Sequence, residues 1–96
     1  MNGICFEWDE DKNKENKRKH KISFEEAQTI FFDPLTKVAP DPDHSVQEAR
    51  FIALGHSANH RLLLVVHCFR DRDQTIRIIS ARKITISERK QYEEDL

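Results

Sequence analysis

Arg61-Leu62-Leu63-Leu64-Val65-Val66-His67-Cys68-Phe69-Arg70 and Thr75-Ile76-Arg77-Ile78-Ile79-Ser80-Ala81-Arg82-Lys83-Ile84, separated by Asp71-Arg72-Asp73-Gln74, decide the fold. Two aliphatic, β-branched runs around a short polar turn predict an antiparallel hairpin at the centre of a sheet. Arginine stands at both ends of the first run and interrupts the second at Arg77 and Arg82, with Lys83 beside the last. Guanidinium groups on a central hairpin point to a surface that meets phosphate or carboxylate. Alternation puts Ile76, Ile78, Ser80 and Arg82 on one side and Arg77, Ile79, Ala81 and Lys83 on the other. Both sets mix apolar and basic residues, so a bulge or strand end is expected near Ser80.

Outward from the hairpin, Glu48 to Leu54 predicts a third strand that stops at Gly55, and Gly55-His56-Ser57-Ala58-Asn59-His60 predicts a turn. Ile4-Cys5-Phe6-Glu7-Trp8 predicts a short first strand. The acids Asp9-Glu10-Asp11 then suit the start of a helix running from about Asp11 to His20. That helix has almost no apolar residues. Lys12, Asn16 and His20, with Lys19 adjacent, share one face by spacing, which is either solvated or basic enough to bind an anion. Ser23-Phe24-Glu25-Glu26 is a capping box, and Phe24, Ala27, Ile30 and Phe31 form an apolar stripe ended by Asp33-Pro34. Pro40-Asp41-Pro42-Asp43-His44 predicts a loop. Thr85 to Glu94 predicts a closing helix, with Ser87 as its N-cap and Tyr92 on the face of Glu88. This order predicts an α+β domain: an antiparallel sheet, two early helices over one face, and the opposite face left open.

Length and charge narrow the function. Ninety-six residues fit one domain spanning 1–96, able to bury roughly 60–70% of its unfolded surface. The formal net charge of -1 hides two basic segments. Lys12 to Lys21 carries six Lys or Arg against one acid, and Arg70 to Lys90 carries seven against three. Local field rather than the sum governs binding to a polyanion. Cys5 and Cys68 form no paired motif, which argues against structural zinc and for reduced core thiols. His56 and His60 have i, i+4 spacing, but Gly55 and Asn59 favour a turn over a metal-binding helix. His67, inside a strand, reads first as a core histidine. No membrane-length apolar run and no secretory signature are apparent, so a cytoplasmic location is expected. No cofactor motif stands out.

Taken together, Phe6-Glu7-Trp8-Asp9, Lys12, Asn16, Lys19-His20, Ser23-Phe24-Glu25-Glu26-Ala27, Asp33-Pro34, Glu48-Ala49-Arg50, Gly55, Arg61-Leu62-Leu63, Arg77-Ile78-Ile79-Ser80-Ala81-Arg82, Glu88 and Tyr92-Glu93 closely resemble the BrnT family of bacterial toxins. The likeness covers nearly the whole chain in order. It implies a RelE-like fold and a ribonuclease toxin of a type II toxin–antitoxin pair. Its partner would be a BrnA-type ribbon-helix-helix antitoxin in a heterotetramer that reaches operator DNA through the antitoxin. Where the family pattern carries glycine, this chain has Lys21 and His60. The first position looks like a left-handed helix C-cap, which Lys adopts at a cost of about 1 kcal/mol.

The resemblance implies metal-independent attack of the RNA 2′-hydroxyl on the adjacent phosphate. On that reading Arg82, Arg50 and Arg61 contact the phosphate, and Arg77 and Lys83 follow them as RNA contacts. Lys19, His20 or His67 would take the proton, Tyr92 would orient a group, Lys12 would extend the basic face, and Trp8 would stack on a base or pack in the core. Arginine is a poor proton shuttle, so catalysis would rest mainly on electrostatics. The rival reading is a non-catalytic module whose basic surface only binds the antitoxin and acts as co-repressor. Direct DNA reading is weakest, because no DNA-reading motif is apparent.

Overall fold

The computed structural model describes residues 3–41 and 48–94. The predicted hairpin is its centre: β4 (Leu62–Arg70) pairs antiparallel with β5 (Thr75–Lys83). The register slips between Val66, opposite Ser80, and His67, opposite Ile78, which leaves Ile79 as the extra residue of a bulge. That is the irregularity the mixed parity of this segment calls for. Before the bulge, Ile76 and Ile78 face the core. After it, Ala81 does, and the strand keeps a single apolar face despite its broken alternation.

Three more strands complete a five-stranded sheet in the order β1-β5-β4-β3-β2. β3 (Phe51–His56) pairs antiparallel with β4. It begins later than expected and runs through Gly55 rather than stopping there. A Cβ at residue 55 would collide with the side chain of Thr36, whose hydroxyl donates to the Ile30 carbonyl at 2.6 Å. Gly55 is thus a close-approach glycine inside a strand. β2 (Lys37–Pro40) pairs antiparallel with β3 at one edge. With Val38 as its only β-branched residue, it carries too little pattern to be read from sequence. β1 (Cys5–Glu7) lies parallel to β5 at the other edge, so the sheet is mostly rather than wholly antiparallel. Of the expected loop 40–44, Pro42 to His44 lie outside the described residues.

The helices follow their capping chemistry. Asp9 caps α1 (Glu10–His20), its carboxylate accepting from the Asp11 and Lys12 N–H groups. Ser23 caps α2 (Phe24–Ala27), accepting from the Glu26 N–H at 3.0 Å, and a 3₁₀ turn Gln28–Phe32 continues it. Glu26 does not close the capping box, because its carboxylate turns to Ser57 and Arg61. α3 (Ile86–Glu94) is capped by Thr85 rather than Ser87. The Thr85 hydroxyl accepts from the Glu88 N–H, and Glu88 accepts from the Thr85 N–H, a reciprocal box.

Two asparagines dock the polar helix α1. Beyond Arg77, β5 has no strand on its outer side, so the Ala81 backbone would be an open edge. Asn16 closes it: its amide donates to the Ala81 and Ile22 carbonyls at 2.8 and 2.9 Å and accepts from the Ala81 N–H at 3.1 Å. Asn13 accepts from the Phe24 N–H and donates to Glu10 and Glu25. Asn16 therefore points inward and does not share the exposed face of Lys12, Lys19 and His20. Ile22, Phe24, Ala27 and Ile30 bury against Ala53, Leu63, Val65, Ile76, Ile78 and Ala81 to form the core.

The alternate residues face the other way. There Tyr92 of α3 is buried, its hydroxyl donating to the Leu35 carbonyl at 3.3 Å and its backbone carbonyl accepting from Lys37 Nζ at 2.9 Å. The end of this face that carries Cys68, Arg70 and Arg77 lies away from the Tyr92 contacts. No helix among the described residues is long and apolar enough to cross a membrane.

Candidate nucleic-acid interface

The hairpin turn fixes the registers that build a charge cluster. Arg70 stands opposite Thr75 and Cys68 opposite Arg77, and on the other side of β5 Glu7 lies beside Arg77. Arg77 donates to Glu7 Oε2 at 2.8 Å. Arg70 divides itself between Glu7, at 3.7 Å, and Glu48, at 3.2 Å. Arg50, immediately before β3, adds a third guanidinium within Coulombic reach of Glu48. Arg70 of β4 and Arg77 of β5 thus share Glu7, and Arg70 and Arg50 share Glu48. The pairs are loose and wet: the Arg70 side chain is 45% exposed, Glu7 39% and Glu48 42%.

Cys68 lies beneath the cluster. Burial first, and then the Glu48 carboxylate, push its thiol up to about 11, so it stays protonated and donates. Its hydrogen bond, followed by the fields of Arg70, Arg50 and Arg77, holds Glu48 below the usual carboxylate range. Cys68 fits the expected reduced core thiol, whereas Cys5 is exposed on β1.

Several residues expected to act together are apart. Arg82 sits toward the far end of this face and makes a bidentate pair with Glu88 of α3, at 2.9 and 2.8 Å. That pair, with the Thr85 hydrogen bonds behind it, holds Glu88 down at about 2. Arg61 is tied to buried Glu26, which also accepts from Ser57 Oγ at 2.6 Å. The Arg61 hydrogen bond is the main cause that keeps the Glu26 carboxyl below its ordinary value. Arg50, Arg61 and Arg82 therefore do not form one grip: two of the three are locked to acids of their own.

His67 is fully buried against Phe31, Phe51 and Phe69, and its Nε2 has no hydrogen-bond partner among the described residues. Burial depresses its pKa. It reaches no substrate on the surface. Tyr92 is buried against β2, away from the cluster. Trp8 is half-buried: it packs edge-on against Phe24 at the rim of the core and donates to Glu10 at 3.0 Å. Lys12, Lys19, His20 and Lys83 are exposed. Lys83 lines a shallow basic pocket with His60, Arg61 and Arg89.

Arg70, Glu48 and Glu7 were not among the expected site residues. The signal was in the hairpin itself: a four-residue turn after Arg70 brings Cys68 and Arg77 into register, so Arg70 and Arg77 share a face.

A mostly antiparallel sheet with helices packed on it, Arg70 and Arg77 on one face and Arg50 near their acid Glu48 define a small α+β domain with a cationic patch. Residues 8–88 match the family of BrnT ribonuclease toxins of type II toxin–antitoxin systems, and the chain belongs to that family. The crystal structure of the ribonuclease toxin BrnT of Brucella abortus superposes with a TM-score of 0.66 at 21% identity, over 85% of this chain and 97% of that one. At that identity the likeness speaks for the fold. No curated protein matches the chain.

Proposed function

We propose that this chain is an endoribonuclease whose substrate backbone lies over Arg50, Arg70 and Arg77. The convergence of these three side chains around Glu48 and Glu7 carries the reading. In the reaction the RNA 2′-oxygen attacks the adjacent phosphorus as the bond to the 5′-oxygen breaks, leaving a 2′,3′-cyclic phosphate and a 5′-hydroxyl. The guanidinium groups balance charge developing on the non-bridging oxygens. Glu48, ionised and among the arginines, takes the 2′-hydroxyl proton, and the leaving oxygen is protonated from solvent. No metal is needed in this scheme. The exposed Lys12, Lys19 and His20 of α1 extend the cationic track along a RelE-like scaffold.

A BrnA-type antitoxin would neutralise the toxin by laying an acidic segment across the same three arginines. By the family resemblance the pair would assemble as a heterotetramer, with operator DNA reached through the antitoxin. The test is cleavage of RNA by the purified chain with EDTA present, alongside Arg77→Ala, Arg70→Ala and Glu48→Gln. Cleavage by all three variants at the wild-type rate would remove the assignment.

A further inference from the structure

Beside the charge cluster lies a cleft of about 400 Å³ lined by Glu48, Ala49, Phe51, Phe69 and Asp73. This is the range of small-molecule sites and ample for one nucleobase. Its wall is aromatic: Phe51 and Phe69 are half-buried, with ring centroids 5.3 Å apart and set edge to face. His67 lies behind both rings and holds them from the core side. Glu48 belongs to the cleft and to the arginine cluster at once. The rings are on the core face of the sheet and the arginines on the opposite one. A nucleotide whose phosphate rests on Arg70, at the end of β4, would therefore turn round the strand ends past Glu48 to set its base beside the two rings.

The two carboxylates of the cleft differ. Glu48 is engaged by Cys68 and Arg70, whereas the exposed Asp73 makes no hydrogen bond to the described residues. Asp73 stands in the β4–β5 turn at φ 68°, within a left-handed run that also includes Asp71 and Arg72. An open carboxylate offers two acceptors side by side. Guanine alone presents two adjacent N–H donors, from its ring nitrogen and its amino group, on one edge. Adenine and cytosine place an acceptor beside their amino group, and uracil flanks its single N–H with two carbonyls.

We propose that this cleft is the base-reading subsite of the ribonuclease, with Phe51 and Phe69 stacking the base and Asp73 selecting guanine. The inference rests on the ribonuclease reading and adds its specificity. Stacking on an aromatic wall is tolerant of sequence, so the carboxylate carries the choice. A bidentate contact of this kind discriminates about ten- to a hundredfold between bases.

The test titrates the full chain with the 3′-monophosphates of guanosine, adenosine, cytidine and uridine, following backbone amide shifts. In parallel, four oligoribonucleotides that differ only in the base beside the scissile bond are cleaved. Guanosine 3′-monophosphate should bind about tenfold or more tightly than the others and shift the amides of Phe51, Phe69 and Asp73. Asp73→Asn keeps a residue that tolerates the left-handed turn and should bring the four affinities within about threefold. Phe69→Leu, with folding checked by thermal melting, should weaken all four together.

Equal affinities in the wild type, or shifts confined to the basic pocket at Lys83 and Arg89, would overturn the subsite even if RNA is cut. Selective guanosine binding without RNA cleavage would uphold the cleft and refute the nuclease reading.

Discussion

Arg82 and Arg77 occupy the same strand, yet their replacement should fail in opposite ways. Arg82→Met removes both hydrogen bonds to Glu88, whose carboxyl is held near 2 against an ordinary 4.5 by that pairing first and by Thr85 after it. Fully converted, that shift would be worth about 3 kcal/mol. The pair is partly exposed, at 37% and 28%, and solvent screening, with the share that Thr85 keeps, brings the figure to about 1–2 kcal/mol. For a domain this size that lowers Tm by roughly 5–15 °C. The sign follows from a depressed carboxylate. The pair stabilises fully above pH 4.5, and its contribution is lost as pH falls toward 2, so the variant should show a flatter stability curve across that window.

Cleavage of RNA by Arg82→Met at a temperature where it is fully folded should stay within about threefold of wild type. Arg77→Ala gives up only a half-exposed pair with Glu7, costing about 0–1 kcal/mol of stability. It should nevertheless cut the cleavage rate about 10²–10³-fold, the usual loss when one stabilising donor is removed. Thermal melts and single-turnover RNA cleavage on the two proteins decide the matter. A folded Arg82→Met as inactive as Arg77→Ala would refute the division between scaffold and site.

His67→Leu, which removes an unpartnered buried nitrogen, should be neutral or stabilising at pH 7. Because the folded histidine has a lowered pKa, wild type should lose stability as pH falls below about 6.5, where the unfolded chain gains the proton first, and the variant should not; denaturant melts from pH 7 to 5 measure this. Lys21→Gly and His60→Gly, at φ 61° and 63°, should each stabilise by about 1 kcal/mol, since a side chain at these positions is strained; a lower Tm in either would show the strain is relieved elsewhere. Asn16→Ala strands the Ala81 N–H and carbonyl and the Ile22 carbonyl and should cost about 3–5 kcal/mol in urea unfolding. Gly55→Ala must displace Thr36, and its midpoint in the same assay should fall clearly.

The hairpin, the capped helices α1 and α2 and their ends were legible because each rests on local chemistry. The runs 61–70 and 75–84, Asp9, Ser23 and Asp33-Pro34 say the same thing in sequence as in space. What escaped depends on distant partners. β2 is a strand only because β3 accepts it, and β1 finds its parallel partner β5 only after all the other strands have been laid down. Glu26 satisfies the capping-box spacing, yet Arg61 and Ser57, 35 and 31 residues away, claim its carboxylate. Among the arginines, type and spacing do not separate those with rigid acid partners from those without, so in sequence Arg61 and Arg82 look as available as Arg70.

How strongly each arginine is held decides which of them can meet RNA. A guanidinium engaged in a bidentate pair on a helix cap, as Arg82 is, or tied to a buried carboxylate, as Arg61 is, leaves its partner uncompensated if it turns to a phosphate, and a buried acid makes that costly. Arg70 is shared between two half-exposed acids at 3.2 and 3.7 Å, pairings that water and salt already weaken. A phosphodiester can take its place beside Arg70 and Arg77 while Glu7 and Glu48 return to solvent at little expense. On the proposed mechanism the same looseness lets Glu48 turn from guanidinium to a 2′-hydroxyl. Salt should therefore weaken RNA binding steeply in wild type and less steeply once Arg70 or Arg77 is replaced, because each guanidinium that neutralises a phosphate releases its own share of counterions.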